Sequence, residues 1–336
     1  MNRVCIAVFL FLALPVSSLC AAQDAPTLRV SLPPVLASLP VAFAAEWGLF
    51  GEHGVDVEII GMTDNQVRSA ALSTGDLDFV IEDVTQFIVD LVGGQDLIAT
   101  SAAYVRPQTD SMLVGLVSPG SFRLASIDDL VAHRSLIGTV YRSDAEYLLD
   151  RLFDEVLEDG EKRPPYSYMT DVLFLATWFG AQALPAAVLP EPYVSYIATY
   201  VPPSGRPVKV VTLTDFSEFE SVPSLYVFRA DFVKKHPDVV EAFYDACCVA
   251  IERMNATPRG ELVETGVSVV LPIFFQGANP ETIGQEILDA ISISVFDFPC
   301  ELPLEQYESV LDWMVEKGYA FVRPDYADVI DGRFLP

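Results

Sequence analysis

The sequence is short of positive charge. It contains 20 lysine and arginine residues against 47 aspartate and glutamate residues, which gives a formal net charge of −27. Nucleic acids and anionic membrane surfaces are bound through basic faces, so neither is expected as a partner. The acidity alone does not identify a ligand, because most carboxylates of a folded chain lie on its solvated surface.

Sequence signatures of catalysis are also missing. The chain contains no G-x-S-x-G, P-loop or H-E-x-x-H motif. Its three histidines, His53, His133 and His236, each lie in a charged or turn context. Glu82 and Asp83 are adjacent, and adjacent residues on a strand point to opposite sides, so they do not by themselves form an acid/base pair. We therefore predict a protein that is not an enzyme and that uses no cofactor.

The five cysteines are too few and too irregularly spaced for a disulfide framework or a metal site. Cys247 and Cys248 are neighbours in a predicted helix, where they fit small core residues. Cys300 lies far away in a predicted loop. Pairing of Cys300 with one of the other two remains open from the sequence.

No apolar run reaches the roughly 20 residues that a transmembrane helix needs. The run over 4–16 follows Arg3 and precedes small residues, which is the pattern of an export signal. We predict a signal peptide over 1–22, cleavage after Ala22, and a location in the periplasm or at the cell surface. The alternative is a lipid anchor at Cys20, although Leu19 stands where a lipobox has a small residue.

From residue 27 onward, apolar segments of strand type alternate with amphipathic helical segments. Such alternation is typical of a mostly parallel sheet covered by helices on both faces. A second series begins near residue 112, and the last third is largely helical, so the 336 residues are predicted to form two α/β lobes. The first strands are predicted over 27–32, 55–60, 77–81 and 97–102.

Local signals predict where several helices begin and end. Ser126 and Ser143 each start a capping-box sequence, in which the serine oxygen accepts a hydrogen bond from the backbone N–H three residues later. Gly75 is expected to end the helix over 66–72. Helix starts that follow strands present free N–H groups, and ligands of open α/β sheets bind at such places.

Side chains at the predicted strand ends are the candidate ligand contacts. Carboxylates there would accept hydrogen bonds from amine or ring N–H donors, or would only cap helices. Arg142 would clamp an acidic group or be a surface charge, and Tyr104 would stack on a ring or pack in the core. The residues predicted to bind the ligand are Leu36, Ser38, Asn65, Glu82, Asp83, Tyr104, Tyr141, Arg142, Ser143, Glu191 and Tyr193.

Three stretches resemble the periplasmic binding proteins for nitrate, sulfonate, taurine and thiamine-pyrimidine precursors. They are EWGLF at 46–50, similar to a Glu-x-Gly-Phe-Phe turn, LSTGDLD at 72–78, similar to a Leu-x-x-Gly-x-Leu-Asp segment, and AVLPEPY at 187–193, similar to an Ala-Val-x-x-Glu-Pro-Tyr segment. The ending over 312–336 resembles the thiamine-precursor branch most closely.

The resemblance implies the type II periplasmic binding-protein fold, in which two α/β lobes are joined by two crossing strands and close around a solute. Lobe I is expected over 27–115 and 222–336, and lobe II over 116–221. The resemblance also implies an ABC permease with its ATPase as the partner, a monomeric protein, and contact with the membrane only through the permease or an anchor at Cys20.

The ligand favoured by the resemblance is a thiamine pyrimidine precursor or a related heteroaromatic vitamin compound. Tyr141 and Arg142 replace small residues that many members have at that turn, which favours a larger ligand over a bare oxyanion. The alternative within the family is an organic sulfonate or similar anion bound by Arg142. Two alternatives of another class are a pyrimidine-synthesising enzyme, which lacks an export signal and carries a cysteine-rich motif, and an extracytoplasmic sensor domain.

Overall fold

The computed structural model describes residues 26–62, 64–107, 112–200, 207–219, 222–275 and 293–335. The predicted signal peptide, including Cys20, lies outside these residues. The strands are β1 (Leu28–Ser31), β2 (Val57–Ile59), β3 (Phe79–Asp83), β4 (Leu97–Ala103), β5 (Val105–Arg106), β6 (Val114–Pro119), β7 (Ile137–Val140), β8 (Tyr166–Met169), β9 (Ala186–Pro190), β10 (Val210–Thr214), β11 (Ser224–Arg229) and β12 (Val295–Phe296).

The helices surround two main sheets. They are α1 (Leu39–Glu46), α2 (Leu49–Glu52), α3 (Asn65–Thr74), α4 (Val84–Val92), α5 (Ile127–His133), α6 (Asp144–Val156), α7 (Val172–Gly180), α8 (Tyr193–Thr199), α9 (Ala230–Lys235), α10 (Pro237–Ala256), α11 (Arg259–Phe274), α12 (Leu304–Glu316) and α13 (Tyr326–Val329). Short 3-10 turns lie at Leu36–Ser38, Gly120–Phe122 and Gly332–Phe334.

The first sheet has the strand order β2-β1-β3-β11-β4, and the second has the order β10-β6-β9-β7-β8. Strands β1, β2 and β3 pair in parallel, as do β7, β8 and β9. The expectation of mostly parallel sheets is correct, because one strand in each sheet runs against the other four. Strand β11 runs antiparallel to β3 and β4, and β6 runs antiparallel to β9 and β10. Strand β6 is the first strand of the second sheet, and β11 is the strand on which the chain returns to the first sheet. Each runs in the direction opposite to the other strands of its sheet.

Alternation along β3 builds two separate cores on the faces of the first sheet. Phe79 and Ile81 pack into one core with the helices α1 and α10, whereas Val80 packs into another with α4 and α12. Because successive strand residues point to opposite faces, a strand buried on both faces is apolar at every position. Phe243 of α10 closes the first core, with its ring 5.0 Å from that of Phe79.

Local signals place the helix ends as predicted. Ser126 and Ser143 accept hydrogen bonds from the backbone N–H groups of Asp129 and Glu146, at 3.1 and 3.4 Å. Gly75 follows α3 with a φ of +80°, and a Cβ there would lie 2.5 Å from the guanidinium of Arg229. Glycine is therefore favoured at this position by its left-handed backbone conformation, and a side chain there would also have to displace the end of Arg229.

Helix α6 belongs to the second sheet but also contacts the layers of the first. Its Leu149 and Phe153 pack in the core of the second sheet. Its Tyr147 packs in the core that contains α4 and α12, and the Tyr147 hydroxyl lies 2.8 Å from that of Ser309 on α12. The two sheets are thus linked by a packed helix pair in addition to the connecting chain.

The described cysteines are free thiols. Cys247 is buried, Cys248 is half-buried, and Cys300 is exposed, so Cys300 forms no disulfide with either of them. Burial raises the pKa of the Cys248 thiol to about 11, which leaves it protonated at neutral pH. Among the described residues, no helix combines the length and apolarity that a membrane crossing requires.

Candidate functional site

A cavity of about 270 Å³ lies where strand ends of the two sheets meet. The segment after β1, the ends of β3 and β4, and the start of α4 contribute from the first sheet. The ends of β7 and β9 and the start of α6 contribute from the second. Most of the wall is aliphatic, and no aromatic side chain lines it among the residues that the structure describes. The apolar lining consists of Pro33, Pro34, Val35, Leu36, Ala37, Ile81, Ala103, Val105, Leu113, Val114, Val140, Ala145, Leu148, Val172, Leu173, Val188, Pro190 and Val222.

The polar part of the wall is dominated by carboxyl groups. Within the described lining, the carboxyl-bearing residues outnumber the single cation, Arg68. An apolar cavity with a few convergent polar groups is the usual form of a small-molecule site. The polar lining consists of Asn65, Arg68, Glu82, Asp83, Gln86, Ser143, Asp144, Asp171, Glu191 and Ser224.

Arg68 lies on α3, one helical turn after Asn65, and is held from several sides. Its guanidinium donates to the backbone oxygen of Met62 at 2.9 Å and to Oδ1 of Asn65. Burial lowers the pKa of Arg68, and the charges of Glu82 and Asp83 oppose that shift. The guanidinium of Arg68 therefore donates hydrogen bonds within the protein and interacts with the charges of Glu82 and Asp83.

Glu82 is buried at the end of β3, with 6% of its surface exposed. Burial raises its pKa well above the ordinary value of 4.5, and repulsion from Asp90 raises it further, while Arg68 lowers it. Oε2 of Glu82 accepts no hydrogen bond from the described part of the chain. Burial and the Asp90 charge therefore favour the protonated form of Glu82, and the charge of Arg68 favours the ionised form.

Asp83 and Asp144 face each other at two helix starts that belong to different sheets. Asp83 is the N-cap of α4, where it accepts the backbone N–H of Gln86 at 2.7 Å. Asp144 is the first residue of α6, and its Oδ1 accepts the backbone N–H of Thr85, also on α4, at 3.3 Å. Burial raises the pKa of both carboxyls, and repulsion from Asp83 adds to the shift of Asp144. Two acids thus share one helix N-terminus.

Glu191 lines the opposite side of the cavity, directly after β9. Its two carboxylate oxygens accept the backbone N–H of Ser195 at 3.1 Å and the Ser195 hydroxyl at 2.9 Å. Burial raises the pKa of Glu191, and these hydrogen bonds and Arg259 oppose the shift. Glu191 therefore accepts hydrogen bonds from the first turn of helix α8 and also lines the cavity.

Part of the predicted site lies together at the cavity. The six residues that line it come from both halves of the chain, and Ser143 among them also serves as the N-cap of α6, with its hydroxyl donating to the Val140 oxygen at 2.7 Å. The lining residues predicted from the sequence are Leu36, Asn65, Glu82, Asp83, Ser143 and Glu191.

Three other predicted residues lie away from the cavity and make internal contacts. Ser38 is fully buried, and its hydroxyl donates to the Pro33 oxygen at 2.7 Å. Tyr104 donates to Oε1 of Gln306 at 2.6 Å, and the buried Tyr193 donates to the Phe274 oxygen at 3.2 Å. We leave these three residues out of the candidate site, because each side chain is directed toward the body of the protein.

Tyr141 and Arg142 also lie outside the cavity lining. The guanidinium carbon of Arg142 lies 5.0 Å from the ring centres of both Tyr141 and Tyr319. The turn at Tyr141 and Arg142, where many members of the resembling family have small residues, therefore packs against Tyr319 in the C-terminal part of the chain. The residue types at this turn therefore do not indicate the size of the ligand. Arg142 does not line the cavity and would not bind an anion there.

Sequence reasoning missed Arg68, Gln86, Asp144 and Asp171. Asp144 and Asp171 each sit at a helix start, where an acidic residue is ordinary, so nothing local distinguishes them. Gln86 and Arg68 lie three residues after Asp83 and Asn65, both of which had been predicted. Helical spacing places residues i and i+3 on one face, and that rule was the available signal.

Comparisons with known proteins agree with this architecture. Residues 37–161 match the family model described as NMT1/THI5 like. A comparison with curated proteins gives no match. The match agrees with the resemblance that the sequence motifs indicated.

Solved structures of similar fold cover nearly the whole chain. The ligand-binding component of an ABC-type import system from Staphylococcus aureus has 12% identity and a TM-score of 0.69, over 92% of this chain and 97% of that one. The aliphatic sulphonate-binding protein of Escherichia coli has 16% identity and a TM-score of 0.65, over 90% and 97%. The nitrate-binding protein of Synechocystis has 12% identity and a TM-score of 0.65, over 93% and 87%. At such identities the similarity shows the fold of periplasmic binding proteins.

Proposed function

We propose that this protein is the extracytoplasmic solute receptor of an ABC importer, which captures one small molecule between its two sheets and delivers it to a permease with its ATPase. The observation that carries the proposal is the cavity itself, whose wall is shared by strand ends of both sheets. A solute that contacts both walls binds the closed arrangement more tightly than an open one, and so shifts the equilibrium toward closure.

The lobes of this receptor would be those expected from the resemblance, 27–115 with 222–336 and 116–221. The chain passes between the sheets twice, before β6 and before β11. These two connections would serve as the hinges, and opening would also require α6 to separate from α12. Release to the permease would follow reopening at the same connections.

Binding is favoured over catalysis by what the polar wall residues do. Asp83, Ser143 and Glu191 each hold the start of a helix by accepting backbone N–H groups. A catalytic acid or base needs a reacting partner within hydrogen-bond reach and freedom to exchange its proton. Residues that fix the geometry of three helix starts are better suited to hold a ligand in one orientation.

Within this function, a heteroaromatic vitamin precursor that carries amino groups is favoured over an organic sulfonate. The carboxyls of the wall accept hydrogen bonds from amine donors. A sulfonate is best bound by cations, and Arg68 is the one cation of the described wall, where it donates to Met62 and Asn65. The similar structures include a sulphonate-binding and a nitrate-binding protein, whereas the described wall of this cavity contains five carboxyl-bearing residues and one arginine.

A thermal-shift screen of the purified protein tests the proposal. The panel contains 4-amino-5-hydroxymethyl-2-methylpyrimidine, its formylamino analogue, riboflavin, an alkyl sulfonate and nitrate. A ligand present at 100 times its Kd stabilises the folded state by about 2.7 kcal/mol, which raises the Tm of a chain of this size by several degrees. A shift with an aminopyrimidine supports the favoured ligand, and a shift with a sulfonate alone moves the choice to the alternative.

A cavity-filling variant shows whether any shift arises at the proposed site. Ala103→Phe places a ring in the cavity, whereas Ala256→Phe places the same ring on the exposed end of α10. The first variant is expected to abolish the ligand-induced shift and the second to retain it. Equal shifts in both variants would place the ligand elsewhere and remove the cavity from the proposal.

A further inference from the structure

Four carboxyl groups interact through their charges beside the cavity, namely those of Glu82, Asp83, Asp90 and Asp144. Arg68 is the cation that acts on Glu82, Asp83 and Asp90, and on Asp64 as well. The cluster of four carboxyls therefore has one guanidinium beside three of its members. A buried cluster of this composition must either hold protons or receive positive charge from outside.

Glu82 is the member of this cluster that is both buried and available. It lines the cavity, 6% of its surface is exposed, and its Oε2 accepts no hydrogen bond from the described residues. Oδ1 of Asp90 accepts from the Ser69 hydroxyl at 2.7 Å and from the Gln86 amide at 3.1 Å, and the Glu82 and Asp90 side chains also interact with each other. Of these two carboxyls, Glu82 is the one that lines the cavity, so a donor placed there would meet Glu82.

Asp83 and Asp144 bring carboxyls from both sheets to the same place. Each lines the cavity, and each is held by backbone N–H groups of α4, so their positions are set by helices and not by mobile loops. A positive group between them would relieve the repulsion that two acids at one helix N-terminus create. It would also join the two walls of the cavity, because α4 and α6 belong to different sheets.

We propose that the captured solute is an organic cation, whose positive group lies against Glu82, Asp83 and Asp144 and whose apolar body lies against the aliphatic wall. The proposal rests on the receptor function, since it specifies the ligand of the same cavity. A protonated amine would donate hydrogen bonds to the carboxyls, and its charge would lower their pKa values, which burial and mutual repulsion raise. Binding is therefore expected to release protons to the solvent, and an aminomethyl-substituted pyrimidine is a suitable cation.

Titration calorimetry with matched probes tests this charge preference. Benzylamine and benzyl alcohol share a ring and differ in charge, and so do the 5-aminomethyl and 5-hydroxymethyl forms of 4-amino-2-methylpyrimidine. Benzenesulfonate supplies the corresponding anion. Charge-assisted hydrogen bonds are about twice as strong as neutral ones, so each amine is expected to bind at least about tenfold more tightly than its alcohol. Titrations at pH 7 in phosphate and in Tris should differ in enthalpy by the heat of about one released proton per ligand.

Variants connect the effect to the cluster. Glu82→Gln keeps the shape of the side chain and removes its charge, and Asp144→Asn does the same at the other helix start. Each is expected to reduce the preference for amine over alcohol several-fold and to reduce the proton release. Glu155→Gln, on the exposed side of α6, is the control that should change neither.

The outcomes separate this inference from the receptor function. Equal or tighter binding of the alcohols or of benzenesulfonate would overturn the charge preference and leave a receptor for another ligand. Amine binding without proton release, or binding unaffected by both cluster variants, would also overturn it. A failure of every probe, charged or neutral, together with no shift in the thermal screen, would count against the receptor function itself.

Discussion

Lys317 is a sharp test of how the two sheets are held together. It lies at the end of α12, and its Nζ is 2.9 Å from Oε1 of Glu146 and 3.0 Å from Oδ2 of Asp150, both on α6. The two carboxylates are 0% and 3% exposed, whereas the lysine side chain is 27% exposed. Lys317→Met retains the apolar stem and removes the ammonium group, so that the charge contribution is tested separately from the packing contribution.

The expected cost follows from what remains around the carboxylates. Removing one partner of a buried ion pair costs about 3–5 kcal/mol when the other charge is left uncompensated. Here Glu146 retains the hydroxyls of Tyr168 and Tyr319, both at 2.9 Å. Asp150 retains its ion pair with Arg163 and the Trp313 indole N–H at 2.9 Å, so Glu146 is the carboxylate that loses its cation. These hydrogen bonds and the partial exposure of the lysine lower the expected loss to about 2–4 kcal/mol.

Urea unfolding followed by circular dichroism measures this loss. The matched control is Lys235→Met, because Lys235 forms an exposed ion pair with Asp231 at 2.7 Å, and exposed pairs contribute about 0–1 kcal/mol. We expect the Lys317 variant to lose at least about 2 kcal/mol more than the Lys235 variant. Losses that agree within about 0.5 kcal/mol would refute the view that the α6–α12 contact is stabilised by this buried charge network.

Two further predictions concern the carboxyl cluster and the N-terminus. Burial and Asp90 raise the pKa of Glu82 in the folded protein above the ordinary value of 4.5. Above pH 4.5 the folded state therefore binds more protons than the unfolded chain. The free energy of unfolding of the unliganded protein is expected to decline as the pH rises from 4.5 through the raised pKa. Glu82→Gln is expected to reduce this decline between pH 5 and pH 8 in urea titrations, and parallel declines in the two proteins would contradict it. Expression in a Gram-negative host is expected to yield a periplasmic protein that begins at Gln23; a mature chain beginning at a lipid-modified Cys20 would support the anchor, and a retained Met1 would refute export.

Local patterns predicted the parts of the fold that depend on neighbours in sequence. Ser126 and Ser143 cap the helices that they were expected to begin, because the hydrogen bond from the third following N–H is available as soon as one turn forms. Glu82 and Asp83 were expected at a ligand site because they end a strand, and they line the cavity. Both predictions needed only the period of the strand or helix on which the residues lie.

The direction of β6 and β11 and the identity of the other wall residues required the assembled fold. A strand's apolar pattern is the same whichever way it runs, so the sequence predicted mostly parallel sheets without indicating that β6 and β11 run antiparallel to their neighbours. Tyr193 and Arg142 follow strands as the lining residues do, yet one is buried against Phe274 and the other lies on Tyr319. Which way a side chain points after a strand depends on the helix that follows and on what packs against it.

The sequence by itself determined the α/β class, the superfamily resemblance, the helix caps and the placement of acidic residues at strand ends, because these depend on short-range periodicity and on local hydrogen bonds. Only the tertiary structure decided that Asp144, 61 residues after Asp83 in the chain, shares a helix N-terminus with it. The tertiary structure also decided that Arg68 donates a hydrogen bond to the backbone oxygen of Met62 beside the cavity. The carboxyl groups of the cavity come from segments that are far apart in the sequence, so their combined effect could not be predicted from any one segment.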